Sequence, residues 1–481
     1  MNAALVKKIN LFTLLACIAL TVVLCPKKQM YFDEPFQIME AHGFSIPTAE
    51  KYYSQQTFTA AEMDKENTLY NVFSYSDSIH YVMIHLLNPI FGNGINFYVY
   101  FSLFWAICTL IAFYFLSRRV IGDNLFTALA LVLLLTNISF LAQAYSIRHY
   151  IMALFFATLS GIYFFKYRDE KTLLNLLMLG LTCAVCIVSH YFTFYIILIY
   201  IASILLEEKL GFFKLKNILV LLIPLAILAV YFHFHVSPIT DNHTYQNYIK
   251  HQPLAINADM SLGNEFSLFL KSVSVNFMVF YPLFKDIFLV RIGSVLLLLA
   301  VYVFGMMKLF PDKEERKKFH LVFALGIISC FVLVTLAVRG KNNMLFSYRY
   351  FLFSMPFCCL FVGLFLKNLL GNANVNMALK GALVVVLIGP GLFKFGAMRV
   401  KRSANNGLEC NHLVVVDEIK KNNVHKLEVP EVVDAIFINS LLPAHYEMTY
   451  STNANTDTAT LYYNNNTEKI HLAKNSLVVL F

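Results

Sequence analysis

Two adjacent carboxylates, Asp33 and Glu34, stand in Met30-Tyr31-Phe32-Asp33-Glu34-Pro35-Phe36, a few residues past the first apolar run. Stripping water from a carboxylate beside a membrane is costly, so a carboxylate there suits two tasks. It can act as a general base for a hydroxyl, or it can hold a divalent cation. The plain alternative is a solvated loop that happens to begin with acid. Adjacent residues of a regular element point different ways, so the pair is given unequal roles. Asp33 takes the chemistry, and Glu34 supports it or positions a partner.

Other reactive side chains read as bystanders. His233, His235, His243 and His251 form a histidine-rich stretch, but His233-Phe234-His235 falls at a helix end, where i,i+2 spacing does not suit zinc. Cys183-Ala-Val-Cys186 has redox-motif spacing inside an apolar run, and there cysteines act as small buried hydrophobes. A disulfide between Cys25 and Cys410 is left open. Asp33 with Asp77 or His80 could hold a divalent cation, and no other cofactor is implied.

The elements that must position these groups are membrane helices. The chain has 481 residues, is 58% hydrophobic and only 14% charged, far from a soluble composition. A span needs roughly 20 mostly apolar residues. Eleven runs qualify: 9–26, 95–116, 124–142, 149–166, 173–189, 191–206, 217–235, 287–309, 320–338, 349–370 and 378–397. The first could pass for a signal peptide, but Cys25-Pro26-Lys27-Lys28 is a poor cleavage site, so it reads as a retained span. Basic residues crowd the segments around Arg118-Arg119, Arg168, Lys214-Leu215-Lys216 and Lys313–Lys318. The short loops of the other side hold only Arg148, Arg339, Lys341 and Arg349. This asymmetry predicts a cytoplasmic N-terminus and an extracytoplasmic C-terminus in the plasma (inner) membrane. The net charge of +9 thus marks cytoplasmic loops and lipid headgroups, not nucleic acid. Residues 265–284, apolar but carrying Lys271 and Asn276, read as an interfacial helix.

The expected organisation is an all-α polytopic membrane domain, residues 1–397, followed by a small extracytoplasmic α/β tail, residues 398–481. Within outer loop 27–94, Asp77 to Phe91 reads as an amphipathic helix ended by Gly92-Asn93-Gly94. In the tail, Leu413–Val416, Ala435–Ile438 and Leu477–Phe481 read as strands and Asp417–Asn422 as helix. At roughly 80 residues the tail is marginal alone and is expected to dock on the outer loops.

The order of these parts resembles the GT-C glycosyltransferase superfamily, more narrowly its bacterial branch related to protein O-mannosyltransferases and the aminoarabinose transferases of lipid A. The likeness covers roughly residues 10–370. Asp33-Glu34 matches the acidic motif of the first loop. Asp77-Ser78-Ile79-His80-Tyr81, with His85 and Phe91-Gly92, resembles the second stretch of that loop, with Ser78-Ile79 in place of the usual prolines. Gln143-Ala144-Tyr145-Ser146-Ile147-Arg148-His149-Tyr150 resembles a Glu-x-Arg-x-Tyr-type element, with Ser146 where an acid is common. Ser347-Tyr348-Arg349-Tyr350-Phe351 resembles the Arg-Tyr element that opens a late span.

The resemblance implies a sugar donor carried on a polyprenyl phosphate, such as an undecaprenyl-phospho-sugar, used at the outer face. Its leaving group is anionic, so cations are needed at headgroup depth. Arg148, Arg349, Arg339 and Lys341 are the candidates, against the alternative that they snorkel to lipid phosphates. Asp33 would activate an acceptor hydroxyl for inverting attack at the anomeric carbon, with Glu34 beside it. Asp77, His80, Tyr81, His85, Tyr150 and His190 would position acceptor or donor. The acceptor could be a lipid, a glycan or a protein. A channel or carrier fits poorly, because the span interiors are nearly free of charge. A flippase or an O-antigen-type ligase or polymerase is the alternative, and a noncatalytic assembly protein a third class.

Overall fold

The computed structural model describes residues 3–25, 34–44, 51–52, 55–76, 78–122, 124–236, 263, 266–267, 269–270, 273, 288–339, 348–404, 411–443, 446–453, 456–463 and 466–472. They form a helical, multi-pass membrane protein with a small sheet at its C-terminal end. Among the described residues, eight helices are long and apolar enough to cross a bilayer: Ala4–Val23, Ile95–Val120, Tyr150–Glu170, Tyr191–Glu208, Leu215–Phe234, Ile292–Leu309, Lys313–Leu336 and Tyr350–Gly371.

The other three expected spans are helical but differ in form. Residues 124–142 are not one span. Asn137 ends the helix Leu125–Thr136 and caps Ile138–Ala144, its side chain accepting from the Ser139 N–H at 2.9 Å. An amide that bonds the backbone locally competes with the helix, and twelve residues cover only about 18 Å. Leu173–Ser189 has 17 residues. The helix Met377–Ala404 runs across the 397/398 boundary. Most of 265–284 lies outside the described residues, and Leu270 and Val273 within it are buried helical positions.

One end of the bundle is sealed by ion pairs. Arg119 meets Asp169 at 3.0 Å and Glu170 at 3.3 Å, Arg168 meets Glu207 at 2.6 Å, and Lys367 meets Glu315 at 3.1 Å. These groups sit at helix termini that the charge pattern assigns to one side. The opposite ends of the helices beginning at Tyr150 and Met355, and of the helix ending at Ser189, carry histidines and tyrosines instead.

The tail corrects the reading of its apolar runs. Leu413–Val416 lies in the helix Asn411–Asn422, and Ala435–Ile438 in the helix Val432–Leu441. In the first, Val415, Val416 and Ile419 share a buried face at helical spacing. The second is buried at every position, so it shows no periodicity, and four residues of it cannot be told from a strand. Glu431 and Asp434 set its start with a reciprocal capping box. Leu477–Phe481 lies outside the described residues. The strands are more polar: β1 Thr57–Thr59, β2 Lys426–Val429, β3 Thr449–Thr452, β4 Thr458–Tyr463 and β5 Asn466–His471, in the order β1-β3-β2-β4-β5. β2 and β3 are parallel, joined through the helix Val432–Leu441, and the remaining pairs are antiparallel. β1 comes from the first loop. Phe58 on β1 is 2% exposed and stacks on Tyr450 of β3, with ring centroids 5.8 Å apart.

Candidate functional site

The site is built around the short helix Glu34–Ala41 and the helix Ile79–Phe91. Ser78 starts the second of these. Its hydroxyl accepts from the His80 N–H at 3.2 Å and donates to the Ser189 carbonyl at 2.7 Å. One side chain therefore caps this helix and ties it to the end of Leu173–Ser189. Gly92, at φ +78°, ends the helix where a left-handed residue is required. Tyr81, Ile84 and Asn88 are buried, whereas Leu86, Ile90 and Phe91 are exposed, so the buried face is partly polar.

That face holds the helix Glu34–Ala41 at two points. The Tyr81 hydroxyl donates to Gln37 Oε1. His85 Nδ1 donates to the Ala41 carbonyl at 3.2 Å. Beyond this helix, His42 Nε2 meets the Tyr98 hydroxyl at 3.0 Å, anchoring the turn to the helix Ile95–Val120.

Tyr81 is also the link to the bundle. Its oxygen lies 2.8 Å from His149 Nδ1. With the phenol proton on Gln37, the His149 Nδ1–H donates to that oxygen, and His149 Nε2 carries the lone pair. The His149 ring packs at 4.8 Å from His190. His190 Nδ1 accepts from the Phe192 N–H at 3.2 Å, so a neutral His190 carries its proton on Nε2. Tyr150 lies 5.0 Å from His190 and 6.1 Å from Tyr350, and His190 lies 5.3 Å from Tyr350. Tyr350 is fixed in turn, its carbonyl accepting from the Tyr195 hydroxyl at 3.1 Å and its ring stacking on Phe192 at 4.2 Å. The Arg148 guanidinium sits 5.8 Å over the Tyr150 ring, in a residue only 6% exposed.

Burial sets the electrostatics. It holds the His190 and His80 imidazoles well below the ordinary histidine value, with neighbouring His149 adding to the effect. The same burial, aided by His85, pushes His42 down to about 3. All three are therefore neutral near pH 7, donors and acceptors rather than cations.

Of the residues read from the sequence, Tyr81, Arg148, Tyr150 and His190 gather here. His85 instead serves the Ala41 carbonyl. His80 packs against Phe101 and edge-on to Tyr81, and neither ring nitrogen has a hydrogen-bond partner among the described residues. That aromatic enclosure does not suit a ligand for a hydrated cation. Among the described residues no three His, Cys, Asp or Glu side chains are grouped to hold a metal. Asp33, Asp77, Lys341, His243, His251 and Cys410 lie outside the described residues, as do the side chains of Glu34, His235, Arg339 and Arg349. The sequence reading left three participants without a role. His149 and Tyr350 stood in the quoted motifs, each beside a chosen residue. Gln37 gave no signal, because one amide three residues past an acidic pair is unremarkable in a sequence.

No protein-family model matches this chain. No curated protein matches it either. Among solved structures, the chain is similar to the crystal structure of ArnT from Cupriavidus metallidurans bound to undecaprenyl phosphate. The identity is 11% and the TM-score 0.46, over 90% of this chain and 74% of that one.

Proposed function

We propose that this chain is an integral membrane glycosyltransferase that moves a sugar from a polyprenyl-phosphate carrier to an acceptor hydroxyl at the extracytoplasmic face, with inversion. One observation carries the reading. Segments that resemble the GT-C motifs, far apart in sequence, meet at one end of the bundle through Gln37, Tyr81, His149, His190 and Tyr350. Glu34 precedes Gln37 by three helical residues, about 4.5 Å along the axis. Arg349 adjoins Tyr350 in the same short helix. The backbone of Glu34 and of the late arginine thus belongs to segments that this chain of contacts joins.

In the proposed reaction the acceptor oxygen attacks the anomeric carbon from the face opposite the phosphate. The new C–O bond forms as the bond from that carbon to the phosphate oxygen breaks, and polyprenyl phosphate departs. The acceptor proton passes to the Asp33 carboxylate, while Glu34 positions the acceptor. Arg148 and Arg349, with Arg339 and Lys341, neutralise the departing phosphate. Tyr150 and His190 act as neutral donors and acceptors toward sugar hydroxyls, and Tyr81, its proton on Gln37, holds the site in place.

The test is a transfer assay with purified protein, a prenyl-phospho-sugar and a panel of hydroxyl acceptors, run with and without chelator. Release of polyprenyl monophosphate together with an inverted glycoside is the expected result. No turnover of this donor, with release of polyprenyl diphosphate from a prenyl-diphosphate-linked glycan offered in parallel, would make the chain a ligase or polymerase. Movement of the lipid across vesicles without bond cleavage would make it a flippase.

A further inference from the structure

Away from the histidine cluster, a cleft of about 800 Å³ opens at the seam between the first loop and the tail. Its lining includes Ala61, Asp64 and Lys65 on one wall and His425, Tyr446 and Glu447 on the other. The walls are held in register. β1 pairs with β3, the Ala60 N–H donates to the Met448 carbonyl at 2.9 Å, and Asn439 Nδ2 reaches Asp64 Oδ1 at 3.5 Å. The volume falls in the range of small-ligand sites.

The lining narrows what could fill it. His425 Nδ1 donates to the Glu447 carbonyl at 2.8 Å, and its Nε2 accepts from Asn423 Nδ2 at 3.1 Å. Both nitrogens are engaged, so His425 is neither a metal ligand nor a base here. These bonds fix its ring 21° from parallel to Tyr446, with centroids 6.2 Å apart. Two aromatic rings therefore stand in one cleft with an ammonium and two carboxylates. Among the described residues, the Lys65 ammonium and the Glu447 carboxylate make no hydrogen bond or ion pair. An anionic ligand would face Asp64 and Glu447. A cationic one would face Lys65. An apolar ligand would offer Lys65 and Glu447 no partner. A neutral polyhydroxylated ligand offers donors to the carboxylates, acceptors to the lysine and C–H faces to the rings.

We infer that this cleft binds a neutral saccharide. Its use to hold a glycan acceptor rests on the transferase reading above, but saccharide binding itself does not. The experiment titrates the full chain, in a detergent without a sugar headgroup, with chitotetraose and maltotetraose. Inorganic phosphate and tri-lysine serve as charge controls, and no prenyl donor is present. At least one tetrasaccharide should bind. Ala61→Trp, which fills the cleft from an exposed position, should weaken binding about tenfold, and Glu447→Gln several-fold. If a variant's tail becomes protease-sensitive, Lys65→Ala, on an exposed side chain, takes its place. The inference is overturned if neither tetrasaccharide binds, if the cleft variants leave binding unchanged, or if only phosphate or tri-lysine binds. Because the assay contains no donor, failure of the transferase reading would leave its result intact.

Discussion

The Tyr81 hydroxyl lies 2.8 Å from His149 Nδ1, and this contact joins a helix of the first loop to the opening of the helix Tyr150–Glu170. The same hydroxyl holds Gln37, so one oxygen ties three segments together. Tyr81→Phe removes that oxygen and takes a hydrogen bond from the buried His149 and from the half-buried Gln37. The expected cost is about 1–3 kcal/mol, read as a lower Tm in detergent. Transfer should fall further than folding alone explains, because the helix Glu34–Ala41 loses one of its links to the bundle, the one through Gln37. Unchanged Tm and turnover would show that the bond holds nothing in place.

Acidification should destabilise the protein in a defined window. His42, His80 and His190 are buried and neutral when folded, with His42 held at about 3. In the unfolded chain they titrate near 6.5. Below that value the unfolded state binds protons that the folded state refuses, so stability is full above about pH 6.5 and falls as the pH drops toward the depressed values. The slope approaches about 1.4 kcal/mol per pH unit for each such histidine. Tm measured from pH 8 to pH 4 should decline on the acid side. A Tm that rises on acidification would contradict the burial argument.

The tail should depend on the first loop. Phe58→Ala removes a ring that stacks on Tyr450 and packs 5.3 Å from Tyr52. Truncations of this kind cost about 3–5 kcal/mol. Limited proteolysis should then cut the region around residues 443–457 faster while the spans stay protected. Tyr70→Ala, at a 68% exposed site, should change little.

Some of this was legible from sequence and some was not. Within the described residues all eleven apolar runs are helical, eight of them long enough to span, because length and hydropathy are properties of the segment itself. The helix Ile79–Phe91, read from the sequence within Asp77–Phe91, was legible for the same reason, with Gly92 as its stop; Ser78 was not read as its cap. The sheet was not. Leu413–Val416 and Ala435–Ile438 have the composition of strands, but caps and flanking residues decide them, and a four-residue window omits both. β1 was hidden because Thr57-Phe58-Thr59 is a strand only when β3, nearly four hundred residues later, lies beside it. Gln37 was hidden likewise, since its role exists only through Tyr81.

Orientation is directly testable. The ion-paired end, with Arg119 and Arg168, should face the cytoplasm, and the histidine end should face outward. A reporter fused after Ser403, or cysteine labelling there, should give an extracytoplasmic signal. A cytoplasmic signal would reverse the sidedness and remove the outer-face carrier from the proposal.

The sharpest prediction concerns Asp33. Asp33→Asn should abolish transfer while the protein remains folded and inserted. Asparagine keeps the shape and can still hydrogen-bond, but it cannot take the hydroxyl proton or neutralise a cation. General-base assistance contributes about 100- to 10,000-fold in rate, so the loss should be plain in the purified assay. Glu34→Gln should be milder, since in the proposed reaction Glu34 only positions the acceptor and takes no proton. Chelator separates the two uses of Asp33. If chelator silences the wild type, Asp33 serves a metal rather than the proton. Near-normal turnover in Asp33→Asn would sink both uses, and the acidic pair would then be the solvated loop start of the plain alternative.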